Sequence, residues 1–400
     1  MPSLRERIAA DHGYITAIRH DLHQHPELMY EEHRTSGVVQ RELEKIGLQF
    51  KAGMAQGTGV LGFLPATQTE GAKTVALRAD MDALPIHEET GLAYASQTDG
   101  KMHACGHDGH TANLIGVARA LVSEENRRNS VLFVFQPAEE GGAGGDRMCQ
   151  EGALSGEVLG SKADVVYGLH GWPEYPAGEI LTRNGPLLAA TDDYRVWVKG
   201  KGGHAAAPHT TCDPVIATAH IITAIQTICS RNVDPLDSIV FTIGAVNGGT
   251  AHNVIPETMK FVGTMRTLKP ETRVLGRKRF YELVEGVAAA FGCQIEIDWN
   301  VGYPVTANDP WATDRFRQIC LDVVGEGNLA EKEAPVMGGE DFSYYGAYAP
   351  ASFFLVGLKR DGDENPASVH TPRFDFNDAV LPRSVEIMCR LSLDPVEVRG

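Results

Sequence analysis

Three short apolar runs, each stopping abruptly in polar or glycine-rich sequence, constrain this chain more than any other feature: TVALRADMD (74–82), SVLFVFQPAEE (130–140) and DVVYGLHG (164–171). Runs of this length, bounded by turn residues, predict buried strands. A later run, SFFLVG (352–357), predicts another. Between the first two lies TANLIGVARALVSEE, whose apolar residues recur at helical spacing, so a helix is expected to start near Thr111. The alternation predicts an α/β sheet with helices on both faces. In such sheets ligands gather beyond the carboxyl ends of the strands. Asp80, Asp82, Glu139 and Glu140 fall there, as does His170, which is expected to end its strand.

From about residue 187 the pattern changes. DDYRVWVKG predicts a strand, DPVIATAHIITAIQTICS a helix, SIVFTIGAV and MKFVGTMRTL strands, ETRVLGRKRFYELVEGVAAAFG a helix and CQIEIDWNV a strand. The order β-α-β-β-α-β is that of a ferredoxin-like unit. With 400 residues the chain exceeds the size of one hydrophobic core. The expected organisation is therefore a catalytic α/β domain in two parts, 1–186 and 303–400, interrupted by an inserted domain over 187–302.

Charge narrows the classes of partner. A formal net charge of -16 repels phosphate backbones and anionic headgroups, so neither nucleic acid nor a membrane is expected as a partner. The N-terminal segment scatters Arg and Asp among its apolar residues, unlike a signal peptide, and Ser3 with Glu6 suits a capped amphipathic helix. No apolar run approaches the ~18 residues of a membrane span, and a cytoplasmic location is the expectation. Seven scattered cysteines without a CxxC pair make no disulfide framework. Six are expected as small buried hydrophobes; only Cys105 has polar, ligand-type neighbours.

That cysteine lies in HACGHDGHTA (103–112), where one glycine separates Cys105 from His107. Thiolate and imidazole suit zinc and other borderline transition metals, although a loop cysteine and a capping histidine would read the same way. A helix starting just downstream would favour the thiolate. His103, Asp108 and His110 are expected as neighbours or caps. Glu139 and Glu140 would repel each other at a strand end without a cation; one can ligate while the other stays free as a base. The following GGAGG lacks the Gly-Lys-Ser/Thr of a phosphate loop but lets the backbone turn tightly. With His170 in GLHGWP and His370 in SVHTP there are five candidate donors, enough for two ions and too many for one structural zinc. In the insert, His204 lies among small residues, Arg266 could hold a carboxylate bidentately and Asn253 offers a neutral amide. Taken alone these are a loop histidine, a surface arginine and a turn asparagine.

HPEL, RADMDALP, HACGHDGHTA, FQPAEEGGAGG, GLHGWP, GKGGHAAAPH, NVIPE, MGGEDFSYY and VHTP, in this order along nearly the whole chain, resemble the metal-dependent amidohydrolases of the M20 peptidase family. The nearest likeness is to hippurate hydrolases, N-acyl-amino-acid amidohydrolases and auxin-conjugate hydrolases. The resemblance implies hydrolysis of N-acyl amino acids with two divalent ions, of which Zn, Mn, Co and Ni all suit the donors. It implies metal ligands at Cys105, His107, Glu140, His170 and His370, with Glu139 as general base. It also implies that the insert is a lid that forms a homodimer, with His204 polarising the scissile carbonyl and Asn253 and Arg266 binding substrate. The wider family has a His-x-Asp pair where this chain has Asp80 and Asp82. That departure puts Asp80 in doubt as a ligand and makes Asp82 an orienting carboxylate behind the ligands. Rival readings are a dipeptidase or aminopeptidase on the same scaffold, and a non-catalytic protein with closed zinc sites.

Overall fold

The computed structural model describes residues 2–397. The chain forms two compact units. One holds the chain up to Leu187, Ala307–Ala334 and the chain from Asp341 on; the other holds Leu188–Thr306 and Pro335–Glu340. The sequence reading placed 335–340 with the catalytic domain. Instead Val336 bridges to Leu188 and the Ala189 amide donates to the Gly338 carbonyl at 2.8 Å, which draws this segment to the second unit.

In the first unit an eight-stranded mixed sheet runs in the order Gln49–Met54, Gly59–Leu64, Ser130–Gln136, Thr74–Asp80, Val165–Pro176, Ala351–Lys359, Ile180–Thr182, Leu329–Glu331. Thr74–Asp80 pairs in parallel with both neighbours, and Val165–Pro176 pairs in parallel with Ala351–Lys359. Strands Thr74–Asp80 and Ser130–Gln136 are buried at every position, as the unbroken apolar runs require when both faces are covered. The helices Leu4–Gln24, His107–Val122 and Leu381–Leu393 pack against one another. Their approach depends on Gly116, where an added Cβ would lie 2.6 Å from Ile15 Cδ1. Leu4–Gln24 opens with the expected Ser3–Glu6 capping box.

The second unit is ferredoxin-like. Its four antiparallel strands are ordered Ile239–Asn247, Thr258–Thr267, Ala190–Lys199, Gln294–Val301. The helices Pro214–Thr227 and Pro270–Ala290 supply Ile221, Phe280 and Val284 to a core shared with Tyr194, Val196 and Phe261. Burial alternates residue by residue along Thr258–Thr267, the pattern of a sheet with one covered face. A two-stranded pair, Gly203–His204 with Val254–Ile255, was not expected from the sequence.

Among the described residues no helix is long and apolar enough to cross a membrane. All seven cysteines are free; of the six expected as buried hydrophobes, Cys149, Cys293, Cys320 and Cys389 are buried, while Cys212 and Cys229 are half-buried.

Candidate metal and catalytic site

The site forms where the parallel strands of the first unit end. Thr74–Asp80 delivers Asp80 and, just beyond it, Asp82. Ser130–Gln136 runs into a turn that carries Glu139 and Glu140. His170 lies within the longer strand Val165–Pro176 and does not end it, a correction to the sequence reading. Its pairing with Thr74–Asp80 stops at Gly168, opposite Arg78, and the same register carried on sets His170 level with Asp80, the last residue of that neighbour.

The helix after HACG begins at His107, four residues earlier than expected. Gly106, with φ of 93°, takes the left-handed conformation that turns the chain directly into the helix. His107, His110 and Thr111 thereby occupy one face of its first turn. The Thr111 hydroxyl donates to the Asp80 carbonyl at 2.7 Å, fastening this turn to the strand end.

Four donors converge on Cys105. His170 Nε2 lies 3.2 Å and His370 Nε2 3.3 Å from its Sγ. His370 Nε2 is also 3.2 Å from Glu140 Oε1, and His107 Nε2 is 4.0 Å from the same oxygen. Cys105, His107 and His170 form one set of donor atoms lying within 4.8 Å of one another, and Cys105, Glu140 and His370 form a second; His107, Glu139 and Glu140 form a third. His370 is held with φ of 61°, its amide donating to the Ala104 carbonyl at 2.7 Å.

The electrostatics favour a cation. Burial would depress the His107 imidazole, yet Asp80 and then Asp82 outweigh it and raise the ring to about 10. Its Nε2 is buried without a hydrogen-bond partner, and such an atom is costly unless something completes it. Burial, with His110 adding to it, holds His170 well below the ordinary imidazole range, in the neutral form that ligates. Cys105 behaves oppositely to the sequence expectation: burial, then Glu140 and Glu139, pushes its thiol well up. The helix N-terminus does not overcome this acidic surrounding, and a divalent ion is what would turn the thiol into a ligand thiolate. Sulfur, imidazole and carboxylate in this number fit two borderline divalent ions.

The support behind these donors is equally specific. Asp82 accepts the Glu139 amide at 3.0 Å and the Glu140 amide at 2.9 Å, and its Oδ1 faces His107 Nδ1 at 3.2 Å. Asp80 has both oxygens occupied, one by His110 Nδ1 at 2.7 Å and the other by Arg78 at 2.6 Å. His110 has both nitrogens occupied, since its Nε2 accepts the Gly171 amide at 2.9 Å. His103 is buried, and burial lowers it to about 4. Asp108 is buried in an ion pair with Arg19 at 2.9 Å and accepts from His23 at 2.8 Å.

The sequence reading missed two groups. The fully buried Arg78 joins Asp80 to Asp341, 2.8 Å away, and Asp341 also accepts from Gln136 and the Gly145 amide. The Asp341 amide faces Glu139 Oε1 at 3.3 Å. The only signal was a charged residue, Arg78, inside an otherwise apolar strand. Glu32, buried and accepting the Ala138 amide, carried no signal beyond its place among acidic residues.

His204, Asn253 and Arg266 belong to the second unit. His204 is exposed, and its strand pairs with the one beside Asn253, whose carbonyl accepts the Ala205 amide at 3.1 Å. His204 Nδ1 accepts the Ala206 amide at 3.0 Å, so in the neutral ring Nε2 carries the hydrogen. Arg266 is half-buried in the sheet, bonded to the Met265 carbonyl at 3.1 Å and 3.9 Å from Asp193.

Residues 76–394 match the model for Peptidase family M20/M25/M40. The chain is 41% identical over 369 residues to an N-acetyl-L-cysteine deacetylase of Bacillus subtilis, spanning 92% of this chain and 84% of that one. It is 36% identical over 381 residues to a hippurate hydrolase of Campylobacter jejuni, spanning 95% and 96%. Its fold matches the crystal structure of a Bacillus subtilis dinuclear metal binding peptidase from the M20 family with a TM-score of 0.80, at 32% identity and with 96% of this chain and 98% of that one covered. With the match spanning most of its length, and with relatives this similar, the chain belongs to peptidase family M20/M25/M40.

Proposed function

We propose that this protein hydrolyses the amide bond of N-acyl amino acids, releasing a carboxylic acid and a free amino acid. The observation that carries the proposal is the convergence of Cys105, His107, Glu140, His170 and His370 from four separate stretches of chain, with the additional carboxylate of Glu139 next to them. These five residues would hold two divalent ions, and Asp82 fixes His107 and the backbone of both glutamates. When bound, the ions polarise the substrate carbonyl and acidify a water molecule.

Glu139 takes the proton from the attacking water and returns it to the departing amine. His204, with its hydrogen on Nε2, donates to the carbonyl oxygen as negative charge develops there. Arg266 holds the carboxylate of the amino-acid portion and Asn253 its polar edge. The relatives named as a deacetylase and as a hippurate hydrolase favour acyl groups from acetyl to benzoyl. The second unit acts as the lid and joins two copies into a homodimer.

The test is a panel of benzoylglycine, N-acetylamino acids and free dipeptides, run on metal-stripped protein reconstituted separately with Zn, Mn, Co and Ni. Acyl-amino acids should be cleaved only after reconstitution. Preferential cleavage of dipeptides would replace the proposal with a peptidase, and turnover by the stripped protein would remove the metal from the reaction.

A further inference from the structure

The turn that presents Glu139 and Glu140 is gripped by two buried carboxylates. Three successive amides point into them: Ala138 donates to Glu32 Oε1 at 2.9 Å, Glu139 to Asp82 Oδ1 at 3.0 Å and Glu140 to Asp82 Oδ2 at 2.9 Å. Ala138 has φ of 55°, a left-handed conformation that an alanine adopts only when its surroundings hold it there. The turn closes on itself, the Gly144 amide donating to the Ala138 carbonyl at 3.1 Å. From the other side the Tyr30 hydroxyl donates to the Gly142 carbonyl at 2.5 Å. A Cβ on Gly142 would come 2.6 Å from Ala138 Cβ and 3.0 Å from the Tyr30 ring.

The segment carrying Tyr30 and Glu32 is itself anchored. The Ala83 amide donates to the Glu27 carbonyl at 2.8 Å, and Leu28 bridges to Ala83, next to Asp82. Glu32 caps the helix His33–Lys45, its own carbonyl accepting the Ser36 amide at 2.9 Å. Its backbone therefore belongs to a rigid element while its side chain, fully buried, crosses to Ala138. That carboxylate has no place in the chemistry described above, and it is raised to about 7, by burial first and by Asp82 second. Either protonation state leaves an oxygen able to accept the Ala138 amide.

We infer that Glu32, assisted by Tyr30, is a positioning residue that sets the aim of Glu139 by holding Ala138 in its left-handed conformation. The inference rests on Glu139 being the base. Without the Glu32 acceptor the Ala138 peptide can swing toward an ordinary right-handed or extended conformation, which redirects the side chain that follows it. Asp82 still grips the next two amides, so the ligand Glu140 stays in place. A misaligned base lowers turnover without weakening substrate binding, and a displacement near 1 Å can cost about 100-fold.

The experiment compares Glu32→Ala and Glu32→Gln, each alone and combined with Glu139→Gln, reading kcat, KM and bound ions per chain. Glu32→Ala should lower kcat by roughly 10- to 100-fold with KM and ion content unchanged. Glu32→Gln, which keeps an acceptor oxygen, should recover most of that loss. In the Glu139→Gln background the Glu32→Ala effect should shrink to within about 3-fold, because two groups acting as one unit are not additive. The inference is overturned if Gln falls as far as Ala, if Ala keeps wild-type kcat, if ions are lost in step with activity, or if the loss persists undiminished beside Glu139→Gln. Should Glu32→Ala fail to fold, Tyr30→Phe takes its place, and its loss of kcat must likewise disappear in the Glu139→Gln background. A near-wild-type rate for Glu139→Gln alone would instead bring down the assignment of the base, a separate outcome.

Discussion

The two units place the side chains proposed here to act on substrate and metal in opposite physical settings. In the first, the carboxylates behind the metal donors are buried and matched: Asp80 between His110 and Arg78, Asp82 among three donors, Asp341 among Arg78, Gln136 and Gly145. In the second, His204 and Asn253 are exposed and Arg266 is half-buried in a sheet with one covered face. The buried set can be read from geometry, because unmatched charge inside a sheet protein is costly. The second set cannot, because groups that still reach solvent are not forced to declare a partner. The contrast predicts that changes in the first unit act on chemistry and on metals, while changes in the second leave bound ions untouched.

The largest expected effect is that of Glu139→Gln, which should retain both ions and lose roughly 10² to 10⁴-fold in kcat. Near-wild-type turnover, measured on a fully metallated sample, would remove the base from its assigned place. His204→Ala should come next, with a loss on the order of 10²-fold or more in kcat, as for a lost oxyanion donor. Ion content should stay at the wild-type value; a fall in bound metal would erase the division between the units. Arg266→Met should act mainly on KM, raising it by about 10- to 100-fold, the equivalent of a charge-assisted hydrogen bond of ~1.5 to 3 kcal/mol. If kcat fell while KM held, Arg266 would be serving the transition state and not the bound carboxylate.

The smallest effect concerns stability alone. His23 is buried against Asp108 and Glu88; burial opposes its charge, but Asp108 outweighs this and raises it to about 9 from the ordinary 6.5. Because the folded value lies above the unfolded one, this stabilisation is full below about pH 6.5 and is lost as pH rises through about 9. Thermal unfolding of the wild type should therefore shift downward between pH 6.5 and pH 9.5, and His23→Gln should flatten that slope. An equally steep slope in the variant would assign the pH dependence to other groups.

How much of this was legible in the sequence depends on where the information lies. The buried strands announce themselves because covered faces need continuous apolar runs; Glu139, Glu140 and His170 stood out at the ends of such runs, and Cys105 with His107 by their spacing in a small-residue loop. The ferredoxin-like unit was readable from the order of its elements. Three features were not. The early helix start at His107 depends on the left-handed Gly106, a backbone state that HACGHDGH does not declare. The Arg78–Asp341 pair joins residues on either side of the insert, and no local pattern encodes that pairing. The grip of Glu32 on Ala138 is likewise a through-space contact, between a helix cap and a turn more than a hundred residues later.

One feature of the sheet bears on how the molecule is made. Strand Ala351–Lys359 lies between Val165–Pro176 and Ile180–Thr182, which are near neighbours in the chain. As the protein leaves the ribosome, those two strands emerge together but face a gap that closes only when the strand from 351 arrives. At ~5–20 residues per second the wait is roughly 10 to 35 s. During it the ferredoxin-like unit, continuous apart from one short segment, can fold, while the sheet keeps open edges and His370 is still unmade. With His370 proposed as a ligand, hydrolytic competence waits until that segment has been made, and a chaperone that shields strand edges would matter most in that interval.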